Sequence, residues 1–302
     1  MKKVVLSIIA TAFLFATMEV ALKIGGANYD SLQLTFLRFL LGGIVLLPLG
    51  IKEYKSTHIS RRDWLWLLLV GTMCIPVSML CFQLGIERSN AATASAIICM
   101  NPIFTMMIAH IFTSEKMSRA KYFTVTMAMA GCFLLMRPWD VQEGNTPAGL
   151  ILTLIAAITF GAYTVMGKKT LARIGTFAQT SFSFILGSLV LLIVMLFMHR
   201  PIISGIADHP LVLAYVGIIV TGVGYLLYFL SIKWSDATTG SLAFFIKPGI
   251  APIIAVVVLG ETIEWNTIIG IGLFFIGSFV TLRENFRKQR MKLELLKAER
   301  DL

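Results

Sequence analysis

Apolar residues run through this chain in blocks of roughly twenty, separated by short clusters of charged and turn-forming residues. The blocks fall at 4–24, 31–50, 64–86, 89–111, 120–137, 148–168, 175–198, 211–231, 236–258 and 265–282. At about 1.5 Å per residue, an α-helix of that length crosses the ~30 Å hydrocarbon core of a bilayer. The blocks lack the polar–apolar alternation of membrane-barrel strands. Helices are the other way to satisfy every backbone N–H and C=O in lipid. The pattern therefore predicts an all-α integral membrane protein of ten transmembrane helices.

The pattern repeats. Displaced by 146 residues, SNAATASAIICMNPIFTMMIAHIFTSE (89–115) falls without a gap on SDATTGSLAFFIKPGIAPIIAVVVLGE (235–261). Ser89 meets Ser235, Thr93 meets Thr239, Ser95 meets Ser241, Pro102 meets Pro248 and Glu115 meets Glu261. Gly71 and Gly217, and Gly131 and Gly277, keep the same offset, and at 145 FLLG (39–42) falls on FILG (184–187). The chain thus divides into a repeat at 1–138, a second at 147–282 and a basic tail at 283–302, with the turn-rich RPWDVQEGNTPAG (137–149) as linker. Five spans per repeat is an odd number, so the two halves are expected to cross the membrane in opposite senses. Such inverted repeats are typical of secondary transporters.

Composition and charge agree. Hydrophobic residues make up 57% of the 302 and charged residues 14%, against roughly 25% charged in soluble proteins. The net charge of +10 would suggest nucleic acid on a soluble protein, but its distribution follows the rule that cytoplasmic loops collect Lys and Arg. With the N-terminus inside, that side holds Lys2, Lys3, Lys52, Lys55, Arg61, Arg62, Lys116, Arg119, Lys121, Lys168, Lys169, Arg173, Lys233 and the basic tail. The outer side holds Lys23, Arg88, Arg137 and Arg200. Both termini are therefore expected in the cytoplasm of a bacterial cell, with no nucleic-acid partner. The N-terminal MKKVVLSIIATAFLFATMEVALK has the outline of a signal peptide, but its long apolar run and lack of a clear A-x-A site make it the first span. Cys74, Cys81, Cys99 and Cys132 lie within apolar blocks without CxxC spacing, and read as packing residues.

With its five-plus-five spans, its SxxxxxxRFLLGG stretch at Ser31–Gly43 and its paired "S-N/D-A-x-T…P…E" segments, the chain resembles the drug/metabolite transporter superfamily, and within it the EamA-type ten-helix members. The resemblance covers about residues 4–282. It implies helices packed around a central cavity, alternating access, and export of amino acids or other metabolites. The two halves differ where Asn101 precedes one proline and Lys247 the other, so the cavity is expected to be asymmetric in charge.

Glu19, Arg38 and Lys247 are the ionisable residues deepest in the spans. Facing lipid at a helix centre, each would cost at least ~2.5–3.5 kcal/mol on the insertion scale, so they should face the bundle interior. Two readings stand side by side. Lys247 and Arg38 attract an anionic substrate group while Glu19 binds a cation or proton, or Glu19 pairs with one of the cations as a buried brace. Asn101, Gln83, Tyr163, Tyr225 and Tyr228 are further substrate-binding candidates, although each also suits a helix-to-helix hydrogen bond. Pro102, Pro248, Gly222 and Gly224 are candidate hinges, because proline frees a carbonyl one turn earlier and glycine loosens the backbone. Glu115 and Glu261 read as helix-end caps at opposite faces, and the tail as a cytoplasmic helix near anionic lipid.

No GxxxxGK[ST], HExxH, GxSxG or zinc spacing occurs, so neither catalysis nor a cofactor or metal is expected. The expected function is secondary transport of a small polar metabolite, an amino acid or related zwitterion first, in the export direction. Substrate, membrane lipids and a coupling proton or ion are the expected partners. The alternative is a membrane-embedded enzyme acting on a lipid-linked substrate, which would need acids or histidines clustered at a membrane face.

Overall fold

The computed structural model describes residues 2–26, 29–56, 60–113, 117–136, 144–203, 210–241, 243–260 and 262–298. Among them there is no strand. In chain order the helices are α1 (Lys3–Ile24), α2 (Ser31–Ser56), α3 (Arg61–Glu87), α4 (Ala91–Phe112), α5 (Arg119–Met136), α6 (Pro147–Ile174), α7 (Thr176–Phe197), α8 (Pro210–Lys233), α9 (Ala237–Leu259) and α10 (Trp265–Ala298). Among the described residues, eight helical segments are long and apolar enough to cross a bilayer, in α1–α4 and α6–α9. The other two expected spans fall on α5, which opens with Arg119 and Lys121, and on the shorter apolar stretch Trp265–Thr281 of α10. The expected tail is no separate element, since α10 runs on to Ala298.

Polarity is inverted relative to a soluble protein. Leu6, Phe13, Ile111, Phe197, Val257 and Phe279 face outward, while Arg38, Lys247 and Glu19 are fully covered by protein. Apolar side chains gain nothing by leaving lipid for the interior, so packing and hydrogen bonds hold the helices together. This is an integral membrane protein.

Close approaches run through small residues. A Cβ added to Gly71 on α3 would lie 2.0 Å from the Ser183 carbonyl oxygen on α7, and one on Gly187 would lie 2.4 Å from that of Gly71. A Cβ on Gly42 of α2 would lie 3.1 Å from the carbonyl oxygen of Gly217 on α8. A Cβ on Gly131 of α5 would lie 2.7 Å from the Gly270 carbonyl oxygen of α10, and one on Gly277 of α10 would lie 3.1 Å from Thr124 Cα of α5. The broadest contacts pair α2 with α7 and α5 with α10. Around them α3 packs on α6 and α7, α8 on α1 and α2, α4 on α6, and α9 on α1.

The α2–α7 pair is clamped at both ends. The Glu53 carboxylate accepts from the backbone N–H groups of Phe177 (2.8 Å) and Ala178 (3.0 Å) at the start of α7. These donors have no partner inside their own helix, and the helix dipole favours an anion there. Gly175 (φ 94°) makes the α6–α7 joint, and a Cβ on it would strike Glu53 Oε2. At the other end Arg200 reaches Asp30 at 3.1 Å, and Asp30 caps the Leu32 N–H of α2 at 3.0 Å. Two helices contain π-helical stretches, at Met73–Met79 around Pro76 in α3 and at Tyr215–Gly224 in α8.

Candidate functional site

An ion pair joins α1 and α9. Lys247 Nζ on α9 donates to Glu19 Oε1 on α1, and both side chains are covered by protein. Neither ion tolerates such a position alone, because desolvation costs several kcal/mol per charge and a partner offsets it. The brace weighed in the sequence is therefore formed. The pair leaves Glu19 Oε2 with no hydrogen-bond partner among the described residues. The Lys247 ammonium also lies 5.8 Å from the ring centroids of Phe82 and Phe244, within range of their negative faces.

Arg38 on α2 is equally buried. Its Nη1 donates to the Met18 sulfur at 3.6 Å, and its guanidinium carbon sits 4.6 Å from the Phe39 ring centroid. Nε and Nη2 have no partner among the described residues. Met18 directly precedes Glu19 in the chain. Phe39 continues into an aromatic cluster, with Tyr225 at 5.5 Å, and Tyr225 in turn lies 5.0 Å from Phe15.

Asn101 and Pro102 act as a unit. Pro102 has no N–H, so the carbonyl one turn earlier, at Ile98, loses its helical donor. Asn101 Nδ2 supplies that carbonyl with a hydrogen bond of 3.1 Å, and its own Oδ1 has no partner among the described residues. Helix α4 is interrupted there, with Ala91–Ile98 on one side and Asn101–Phe112 on the other. Pro102 thus sits in the first turn of the second piece, where proline is well tolerated. Pro248, its counterpart at the 146-residue offset, lies inside the helix Ala243–Leu259.

Two of the remaining candidates, Tyr225 and Tyr228, have hydrogen-bond partners on other helices. Tyr228 Oη shares a 2.8 Å hydrogen bond with Thr164 of α6, and Tyr225 Oη donates to the Met79 sulfur at 3.0 Å. Tyr163 is packed at 5.3 Å from Phe160, and its buried hydroxyl has no hydrogen-bond partner among the described residues. Gln83 Nε2 turns to Glu87 at 3.3 Å, and Ser31 also donates to Glu87. Gly222 and Gly224 fall in the π-helical stretch of α8, and both are tightly packed. A Cβ on Gly222 would meet Gly42 Cα at 3.4 Å, and one on Gly224 the Phe15 ring at 2.9 Å. Glu115 and Glu261 lie outside the described residues.

Three residues of this core were not singled out in the sequence. Met18 and Met79 act as sulfur acceptors, which is invisible in a chain rich in methionine. Gln179 on α7 is buried with both amide atoms unpartnered among the described residues. A lone glutamine within an apolar run was the available signal.

The comparisons with known proteins bear on this arrangement. The model of the EamA-like transporter family matches residues 2–137 and 147–283. An uncharacterized transporter of Clostridium kluyveri is 33% identical over 301 residues, 97% of each chain. A probable terminal-alkyne amino-acid exporter of Streptantibioticus cattleyicolor is 22% identical, over 96% of this chain and 97% of its own. One solved crystal structure superimposes with a TM-score of 0.70 at 19% identity, covering 92% of this chain and 95% of the other, so the fold is shared.

Proposed function

Since the chain belongs to the EamA-like transporter family of the drug/metabolite transporter superfamily, we propose that it exports a small polar metabolite, an amino acid or related zwitterion, by alternating access. The observation that carries this reading is the set of buried opposite charges at the centre of an apolar bundle. Glu19, Arg38 and Lys247 converge from three helices, and two of them keep unsatisfied valences. A purely structural brace needs one cation for one anion. Two cations and a carboxylate with open hydrogen-bonding atoms suit a solute that carries both signs. The name of the Streptantibioticus relative, an amino-acid exporter, favours the same class.

We further propose that the two halves form an inverted repeat of five spans each, with both termini in the cytoplasm. The support is that contacts come in matched pairs. Gly71 touches Gly187, and the positions displaced by 146 and 145 residues, Gly217 and Gly42, touch as well. Gly131 meets Gly270, and the equivalents Gly277 and Thr124 also meet. The packing of α3 on α6 and of α4 on α6 has counterparts in α8 on α1 and α9 on α1. On this reading α5 and the first part of α10 complete the ten spans. Alternating access then exchanges the conformations of the two halves about the Glu19–Lys247 junction.

Counterflow in proteoliposomes tests the transport reading. Vesicles preloaded with each of the standard amino acids in turn, and containing the purified protein, are expected to accumulate the labelled form of at least one. Accumulation indistinguishable from protein-free vesicles across the whole set would rule out the amino-acid assignment.

A further inference from the structure

Resting on that transporter reading, we infer that the Nε–Nη2 edge of Arg38 is the seat of the substrate carboxylate, and that Glu19 Oε2 receives the ammonium of the same molecule. The ligand class is then an α-amino acid, or another solute whose carboxylate and ammonium lie a few atoms apart.

A guanidinium binds a carboxylate best along an edge that offers two parallel N–H groups. The edge made by Nε and Nη2 is one of these, and it is the part of Arg38 left without a partner among the described residues. The remaining nitrogen, Nη1, is held by the Met18 sulfur, and the Phe39 ring lies against the guanidinium. These two contacts fix the rotation of the group and the direction in which the open edge points. Arginine does not escape its burial by losing a proton, because the charge is delocalised over the whole guanidinium group. A fully buried guanidinium with two unmade hydrogen-bonding positions is costly unless some state of the protein supplies an anion.

Glu19 is the complementary half. One carboxylate oxygen is taken by Lys247 and the other has no partner among the described residues. Arg38 and Lys247 reach adjacent residues of α1, Met18 and Glu19, so the open edge and the open oxygen are brought to the same turn of that helix. Lys247 changes role accordingly. Its ammonium is already committed to Glu19, so it orients that carboxylate and is a positioning residue for the ammonium subsite.

Thermal unfolding of the purified protein separates these roles. The probes are the standard L-amino acids, their carboxamides, and the corresponding deaminated acids. At least one amino acid is expected to raise Tm, and its carboxamide to have no such effect. Arg38→Gln should abolish the acid-over-amide preference. Arg38→Lys, which keeps the charge but loses the paired donors, should weaken the acid by about 10–100-fold with an unliganded Tm close to that of the wild type. Glu19→Gln should reduce the advantage of the amino acid over its deaminated acid.

An acid-over-amide preference unchanged in Arg38→Lys and Arg38→Gln would overturn the assignment, as would no stabilisation by any probe. If a carboxylate-free solute is the strongest stabiliser and is also moved in proteoliposomes, the carboxylate seat fails while the transporter reading stands. If carboxylates bind in an Arg38-dependent way but nothing is moved, the seat stands and the transporter reading fails.

Discussion

Asn101 donates its amide to the Ile98 carbonyl, the acceptor that Pro102 deprives of a backbone donor. The side chain thereby stands in for a missing helical hydrogen bond inside a buried segment. Asn101→Leu should leave that carbonyl unsatisfied and lower stability by ~1–3 kcal/mol. Adding Pro102→Ala restores a backbone N–H one turn downstream and should recover much of the loss. Thermal unfolding in detergent of the two single variants and the double variant checks this. A double variant no more stable than Asn101→Leu alone would show that the hydrogen bond does not stabilise the break in α4.

Gly71 and Gly217 are equivalent in the sequence repeat but not in tolerance. A Cβ on Gly71 meets the Ser183 backbone oxygen at 2.0 Å, which only separation of α3 from α7 would relieve. A Cβ on Gly217 meets Leu41 Cβ and Cδ1 at 3.1 Å, a milder overlap that a small shift of α2 against α8 relieves. Gly71→Ala should cost ~1–3 kcal/mol or more from overpacking, and Gly217→Ala less. The yield of monodisperse protein on size-exclusion chromatography, with its Tm, reads the difference. Equal losses in the two variants would contradict the backbone contact.

The apolar blocks were legible because a bilayer demands contiguous apolar runs wherever a helix crosses. Eight of them reappear directly as long apolar helices among the described residues. That Glu19, Arg38 and Lys247 point inward was also legible, since their cost in lipid is large. Which of them pair was not. Glu19 and Lys247 lie 228 residues apart, on helices apolar nearly all round, so periodicity gives no rotation about the axis. The break before Pro102 could be anticipated, but the role of Asn101 in satisfying Ile98 required coordinates. The π-helical stretches and the sulfur contacts of Met18 and Met79 depend on tertiary packing and leave no pattern in the chain.

Glu115 and Glu261 are equivalent in the repeat, and opposed halves would place them on opposite sides of the membrane. Single cysteines at the two positions, in a background free of the four native cysteines, should react with a membrane-impermeant maleimide from opposite faces of sealed vesicles. Labelling from one face would exclude the inverted arrangement. The same vesicles test the tail. Deletion of 286–302 removes much of the helical extension of α10 and should leave flux intact while lowering the amount inserted.

The Glu19–Lys247 pair allows structure and recognition to be separated. Removing one partner strands a buried charge, which typically costs ~3–5 kcal/mol, whereas removing both removes the reason for either. Lys247→Ala alone should therefore lower Tm sharply, as Glu19 loses its ion-pair partner. Glu19→Gln combined with Lys247→Ala should recover much of that loss, apart from the packing of the lysine stem. Transport should not recover, because the double variant has lost the carboxylate that meets the ammonium of the substrate. The measurement is Tm and counterflow on the same preparations. If the double variant regains both stability and flux, the pair is a brace alone and neither residue recognises substrate. If it regains stability without flux, the pair serves transport beyond its part in holding the helices together.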